Sequence, residues 1–322
     1  MQRRQFTMAL TATALGAPAL AQPLGYPNKP IKIISPFAVG GIADNFSRII
    51  GLHLSRAWGQ PVLVENRTGA GGNIGADIVA KATPDGYTLV MGNSGTHAVN
   101  VSLFPAMPFD PIRDFTPIAR VIEAEGLLVV HPSVPTTSVQ DLLRIARAEP
   151  GKLAYGSGGL GTTSHLAGEL FKAATKVDIT HVPYKGNLEA INDLIAGRTQ
   201  LAFATMPTVL PFVRDGRLRA IAVIENQRSG VVPNVPTVAE SGVPGFDVKN
   251  WIGLFAPAGL PPAITGKINT EVIRIMNLPE VQPQLASAGA RFTPNTPAEF
   301  AQFVQAETRL WAKVIKDANI RI

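Results

Sequence analysis

The stretches IKIISPFAVGGIADNFSRII (31–50) and LAYGSGGLGTTSHLAGELF (153–171) share one plan. In each, a short apolar strand runs into a Gly-rich turn, and the turn opens directly into a helix. A helix N-terminus carries unpaired N–H groups and the positive end of the peptide dipoles, so it favours an anion. Glycines let that backbone close around an oxyanion with no side chain in the way. One such turn says little. Two of them, more than a hundred residues apart, suggest a pincer that grips a carboxylate from both sides.

Outward from these modules, apolar strands and amphipathic helices alternate, which predicts an α/β fold. After the first turn, Phe46, Ile49, Ile50, Leu54, Ala57 and Trp58 recur at helical spacing. The strand PVLVEN (61–66), the loop RTGAGGNIGAD (67–77), a helix near 75–82 and a strand in GYTLVMGNS (86–94) follow. Pro105, Pro108, Pro111 and Pro117 predict a loop leading to the strand EGLLVVHP (125–132). Beyond the second module come the strand ITHVPY (179–184) and a helix marked by Leu188, Ile191 and Ile195 and stopped by Gly197. QLAFATMP (200–207) and LRAIAVIE (218–225) read as buried strands, and the Pro/Gly-rich segment 229–247 as a linker. The strand WIGLFAP (251–257), a helix with Ile264, Ile268, Val272 and Ile275, and a last helix running from Phe300 to Ile315 complete the chain.

The first 22 residues stand apart. Arg3 and Arg4 precede a short Ala-rich apolar run, and Ala19-Leu20-Ala21 is an A-x-A cleavage site. That pattern predicts a bacterial export signal, by the Sec or the twin-arginine route, and a soluble periplasmic product. The chain has no cysteine, which excludes disulfides, thiolate catalysis and cysteine metal sites. About 300 remaining residues suffice for two domains without covalent staples. The formal charge of +6 falls by two once Arg3 and Arg4 are removed, a balance suited to small anionic ligands. No basic-aromatic stripe points to nucleic acid.

Other chemistry fits less well. GSGGLG (156–161) spells the dinucleotide fingerprint, but the acid that should end the next strand is represented only by Asp178, which precedes that strand. Thr162 stands where a P-loop has its lysine. Ser94 in GNSGT and Ser157 in YGSGG both miss the G-x-S-x-G elbow, although His97, His165 or His181 could serve a serine nucleophile. The alternative assigns Ser157, Thr162 and Thr163 to helix capping or anion donation, and His165 to packing or orienting the loop. The five histidines are scattered, so neither a metal nor a cofactor is expected. Asp44, in the first turn of the first helix, either complements the helix dipole or receives a ligand ammonium.

The chain resembles the Bug-type periplasmic receptors of tripartite tricarboxylate transporters. The resemblance runs through YPNKPIKIISPFAVGGIADNFSR, VENRTGAGGNIGADIVAKATPDGYTLVMG, MPFDPIRDFTPIARV, PGKLAYGSGGLGTTSHLAGELF, HVPYKG, VPNVPTVAESGVPGFDV and WIGLFAPAGLP. It implies a two-domain, type II-like periplasmic binding protein fold with a ligand cleft between lobes formed by 23–124 plus 249–322 and by 125–248. The ligand would be a small organic carboxylate or amino acid, the partners integral membrane permease subunits, and the receptor a monomer rather than an enzyme. A periplasmic hydrolase or the input of a signalling partner are the alternatives. Carried over by motif, the first ligand loop holds Pro36, Phe37, Ala38, Gly40 and Gly41, with Asp44 behind it. The second holds Ser157, Gly159, Gly161, Thr162 and Thr163, with His165 behind it. Asn93, Ser94, Tyr184, Lys185, Gly186 and Thr205 would lie near the cleft.

Overall fold

The computed structural model describes residues 25–317 and residue 320. The expected export signal, 1–22, lies outside the described residues. The chain begins with β1 (Ile31–Ser35), α1 (Ile42–Trp58), β2 (Val62–Asn66), α2 (Asn73–Ala80) and β3 (Thr88–Asn93). A π-helical turn (Gly95–Val99) then runs into α3 (Asn100–Leu103), and β4 (Phe115–Ala124) follows. Next come β5 (Gly126–Val130), α4 (Val139–Ala148), β6 (Ala154–Ser157), α5 (Thr163–Thr175) and β7 (Thr180–Pro183). They lead to α6 (Asn187–Ile195), β8 (Leu201–Thr205), α7 (Met206–Arg214) and β9 (Arg219–Val223). The chain ends with β10 (Asn250–Pro257), α8 (Pro262–Met276), α9 (Gln282–Ser287), β11 (Ala290–Arg291) and α10 (Pro297–Asp317).

These strands make two mixed sheets. The first has the order β11-β4-β10-β3-β1-β2 and the second β7-β6-β8-β5-β9. In the first sheet, β1 is parallel to β2 and β3, while β10 lies antiparallel between β3 and β4. In the second, β6 is parallel to β7 and β8, and β5 is antiparallel to β8 and β9. Successive side chains of a strand face opposite sides, so a strand buried on both faces reads as a continuous apolar run. β1 shows this: Ile33 packs with Phe46, Leu54 and Ile268 on one side, and Ile34 with Ala76 and Val79 on the other. Burying each such side chain stabilises the fold by about 1.5–3 kcal/mol. Gly59 stops α1 in a left-handed conformation, φ 66°, its N–H donating to Ser55 O.

Three expectations need correction. The proline-marked loop ends earlier than expected, because residues 115–124 form β4. Pro117 is tolerated because the β4–β10 register slips beside it, where Phe255 faces Pro117 and Leu254 faces Ala119. Its other edge is unpaired there, since β11 reaches only Glu123 and Ala124. The segment 229–247 is not a linker. Val238, Val243 and Phe246 are buried, Val223 N–H donates to Pro236 O at 2.8 Å, and Val238 N–H donates to Val223 O at 2.9 Å. Its Pro and Gly residues shape turns that fasten it along β9. Finally, Leu188 is 71 % exposed and does not belong to the buried face of α6, which Ala190, Ile191 and Leu194 supply. Helices α3, α4, α7 and α9 had no counterpart in the sequence reading.

The chain passes from the first sheet to the second through Glu125, between β4 and β5, and returns between β9 and β10. There Glu225 is buried and its Oε1 accepts Gly126 N–H at 2.9 Å. Burial pushes its carboxyl up to about 8, beside Glu125 and Asp247.

Candidate functional site

Every candidate residue except Asp44 and His165, which sit in the first turns of α1 and α5, lies at or just beyond the carboxyl end of a parallel strand. The first loop follows β1; Asn93 ends its parallel neighbour β3 and Ser94 follows it. The second loop follows β6, Tyr184 to Gly186 follow β7, and Thr205 ends β8, with β7 and β8 both parallel to β6. In open α/β sheets this edge forms the ligand crevice.

In the first loop Pro36 is buried, Phe37 half-buried, and Ala38, Gly40 and Gly41 are exposed. Gly41 N–H donates to Ala38 O at 3.2 Å, and Gly41 begins α1 without any side-chain cap. Asp44 holds the loop from behind and is 1 % exposed. Its Oδ2 accepts Gly40 N–H at 2.9 Å and Arg48 Nε at 3.0 Å; its Oδ1 accepts Asn66 Nδ2 and an Arg48 terminal nitrogen, both at 2.9 Å. Burial pushes this carboxyl up, but the bonds from Arg48, Gly40 and Asn66 outweigh it and hold the group below the usual carboxylate range. Both oxygens are thus committed within the protein. Asn66 also donates to Phe37 O at 3.0 Å. Sequence reasoning missed Asn66 and Arg48; the i,i+4 spacing of Asp44 and Arg48 was the available signal.

In the second loop, Thr162 caps α5, accepting His165 N–H and donating to Gly159 O at 2.7 Å. Gly159 has φ 115° and Gly161 φ 77°, conformations that favour glycine. Gly159 N–H donates to Ser157 Oγ at 3.2 Å, and Gly161 N–H to His165 Nδ1 at 3.2 Å. Ser157 Oγ lies 2.7 Å from His181 Nε2. His165 and His181 are both held below the usual imidazole range, chiefly by burial, His181 down to about 4.

The two loop systems meet. Ser94 Oγ lies 3.2 Å from Thr163 Oγ1, joining the loop after β3 to the start of α5. A Cβ at Gly161 would lie 3.2 Å from Leu103 and 3.3 Å from Asn100 Oδ1, so the second loop rests on α3. Asn93 Oδ1 accepts Thr96 N–H at 3.0 Å, securing the π-helical turn, which was not foreseen and which recurs at functional sites elsewhere. The remaining candidates use their polar groups locally. Tyr184 OH donates to Asp193 at 2.8 Å, with burial and then Asp193 pushing its phenol up to about 12. Thr205 Oγ1 pairs with Thr208 Oγ1 at 2.8 Å. Lys185 is exposed, and Gly186 begins α6 with no side-chain cap.

Ser157 and His181 have the spacing of a nucleophile and its base. Yet Ser157 is 1 % exposed, and its hydroxyl also engages Gly159 N–H and Gly159 O. Among the described residues, Ser157 is the one hydrogen-bond partner of the His181 ring, so no carboxylate orients it. His97, fully buried, stacks on Phe255 at 3.8 Å, its Nδ1 on Thr96 Oγ1. Among the described residues there is no cluster of three metal-ligating side chains, and no helix long and apolar enough to cross a membrane.

Residues 46–320 match the model of the family described as "Tripartite tricarboxylate transporter family receptor". Protein BugT of Bordetella pertussis is 35 % identical over 314 residues, spanning 97 % of this chain and 96 % of its own length. An R. palustris protein solved with adipate superposes with a TM-score of 0.84 at 38 % identity, covering 92 % of this chain and 99 % of its own. MatC from Rhodopseudomonas palustris, solved with bound malate, gives 0.81 at 35 % identity, covering 90 % and 100 %. The two-sheet α/β architecture is that of periplasmic binding proteins.

Proposed function

Since this chain belongs to the tripartite tricarboxylate transporter receptor family, we propose that it is a periplasmic solute receptor, not an enzyme, that captures a small organic carboxylate between its halves. It would then present the ligand to the membrane permease of such a transporter. One observation carries this reading. Helix N-termini without side-chain caps follow β1 in one sheet and β7 in the other, and the Ser94–Thr163 contact draws the two loop systems together. Amides so placed supply donors and positive potential to an anion without a lysine or arginine. The lobes would be 23–124 plus 249–322 and 125–248, with the bend where the chain crosses beside Glu125 and Asn250. Neither loop alone surrounds a carboxylate, so the ligand favours the closed arrangement, and only that differential affinity drives closure.

The relatives solved with adipate and malate make dicarboxylates the first compounds to try. A thermal-shift screen of organic acids should find one that raises the melting temperature. Binding only the folded state at 100 times Kd adds about 2.7 kcal/mol, a shift of several degrees. With that acid present, X-ray scattering should report a smaller radius of gyration. A panel of mono-, di- and tricarboxylates that leaves the melting temperature unmoved would sink the proposal.

A further inference from the structure

We propose that His165 and His181 are positioning residues that hold the amides of the second loop from beneath, so that carboxylate affinity depends on both rings and on His165 staying uncharged. The proposal rests on the reading of residues 157–163 as a ligand loop.

The geometry is a pair of struts. Gly161 N–H donates to His165 Nδ1 at 3.2 Å. Gly159 N–H donates to Ser157 Oγ at 3.2 Å, and that hydroxyl sits 2.7 Å from His181 Nε2. Both glycine amides therefore end on an imidazole nitrogen, one directly and one through a single hydroxyl. Both glycines hold positive φ, a region glycine enters as freely as any other, so these bonds select one conformation of a permissive backbone. The rings lie 4.3 Å apart, centre to centre, and Tyr155 of β6 stacks on His181 at 4.8 Å. The charged groups facing the pair are Glu169 and Lys172 of α5, themselves paired at 2.9 Å. Tyr155 OH donates to Glu169 at 2.7 Å and so takes up part of the carboxylate nearest the rings.

Protonation affects the two struts differently. An imidazolium has no lone pair, so charged His165 would set its own Nδ1–H against the Gly161 N–H, and the loop would have to move. Charged His181 can still donate to Ser157 Oγ, provided the hydroxyl turns its proton to Gly159 O, 3.3 Å away. Two imidazolium rings at this separation repel, so the pair resists double protonation. Burial, acting on both rings, keeps them neutral below the ordinary imidazole range. The loop is thus intact at neutral pH and fails from the acid side.

The test needs no knowledge of the natural ligand. Amide hydrogen exchange of Gly159 and Gly161 is followed by NMR in the full chain without added acid, alongside calorimetry with adipate as probe. His165→Ala should speed Gly161 exchange by about tenfold or more, the scale of one lost hydrogen bond. His165→Asn places an oxygen where Nδ1 was and should restore protection. It should also remove the acid-induced loosening expected of the wild type as pH falls below the ordinary imidazole range. His181→Gln, keeping a polar atom near Nε2, should spare Gly159, whereas His181→Ala should not. Adipate affinity should fall with the two alanine variants and return with Asn and Gln. Unchanged glycine protection in both alanine variants overturns the positioning role, whatever adipate does. Lost protection with unaltered adipate binding overturns the ligand-loop reading, and with it the dependence of affinity on these rings.

Discussion

Replacing Asp44 with asparagine keeps the shape of the buried carboxylate and removes half of its capacity to accept hydrogen bonds. Four donors converge on it: Gly40 N–H and Arg48 Nε on one oxygen, Asn66 Nδ2 and an Arg48 terminal nitrogen on the other. An amide can satisfy one side only, and its NH2 must face the donors on the other. Asn66 cannot simply flip, because its NH2 also serves Phe37 O and its oxygen accepts from Arg48 at 3.1 Å. Two bonds to a charged acceptor are lost, each worth about 1.5–3 kcal/mol. Arg48 is half exposed and regains water, so the net loss should be about 2–3 kcal/mol. For a chain of this size that is roughly 3–5 °C in melting temperature. The assay is thermal unfolding of wild type and Asp44→Asn across pH. The folded carboxyl titrates below its ordinary value. Its contribution is therefore full above about pH 4 and is lost as pH falls through the folded value, so the two curves should converge in acid. A variant that melts within about 1 °C of wild type at neutral pH, yet no longer responds to a cationic amino acid that protects wild type, would refute this reasoning and make Asp44 the ammonium receptor.

Two further substitutions probe the loop and the frame behind it. Gly159→Val should abolish the response to whichever organic acid stabilises wild type while circular dichroism stays native: φ 115° excludes β-branched residues, and the new Cβ would lie 3.1 Å from Tyr184 O. A retained response would show that residues 157–163 do not touch the ligand. Gly253→Ala, in β10, drives a methyl into the Phe300 ring with Ala119 O close behind. Urea unfolding should report a loss of about 1–3 kcal/mol, and an unshifted midpoint would mean that α10 yields more easily than its packing suggests.

The Gly-rich turns were legible because their message is local. A strand end, two or three glycines and a hydroxyl or acid in the next turn announce a helix N-terminus with little help from the rest of the chain. What escaped was tertiary. Pro117 looked like punctuation, and only the slipped register against Leu254 and Phe255, with no partner on its other edge, makes room for it in β4. The 229–247 segment has the composition of a tether, and only the bonds of Val223 to Pro236 and Val238 fix it to β9. At the site, Asn66 acts on Asp44 across 22 residues, and His181, which the sequence offers only as one of three possible bases, meets Ser157 across 24. No spacing rule reaches that far, whereas Arg48, four residues from Asp44, was within reach of one.

The order of strands in the first sheet has a consequence for how the chain is made. β5 to β9 are consecutive, so the second sheet can be completed as soon as its own residues have emerged. The first sheet cannot. β3 and β4 are separated in it by β10, which is synthesised more than a hundred residues after them. Until β10 arrives, two apolar strand edges face each other across a missing member, open to pairing with any other extended chain. A polypeptide threaded N-terminus first should therefore finish its middle before its beginning. The interval before β10 is when it most needs a chaperone, and truncations ending before Asn250 should aggregate even though every residue of the second sheet is present.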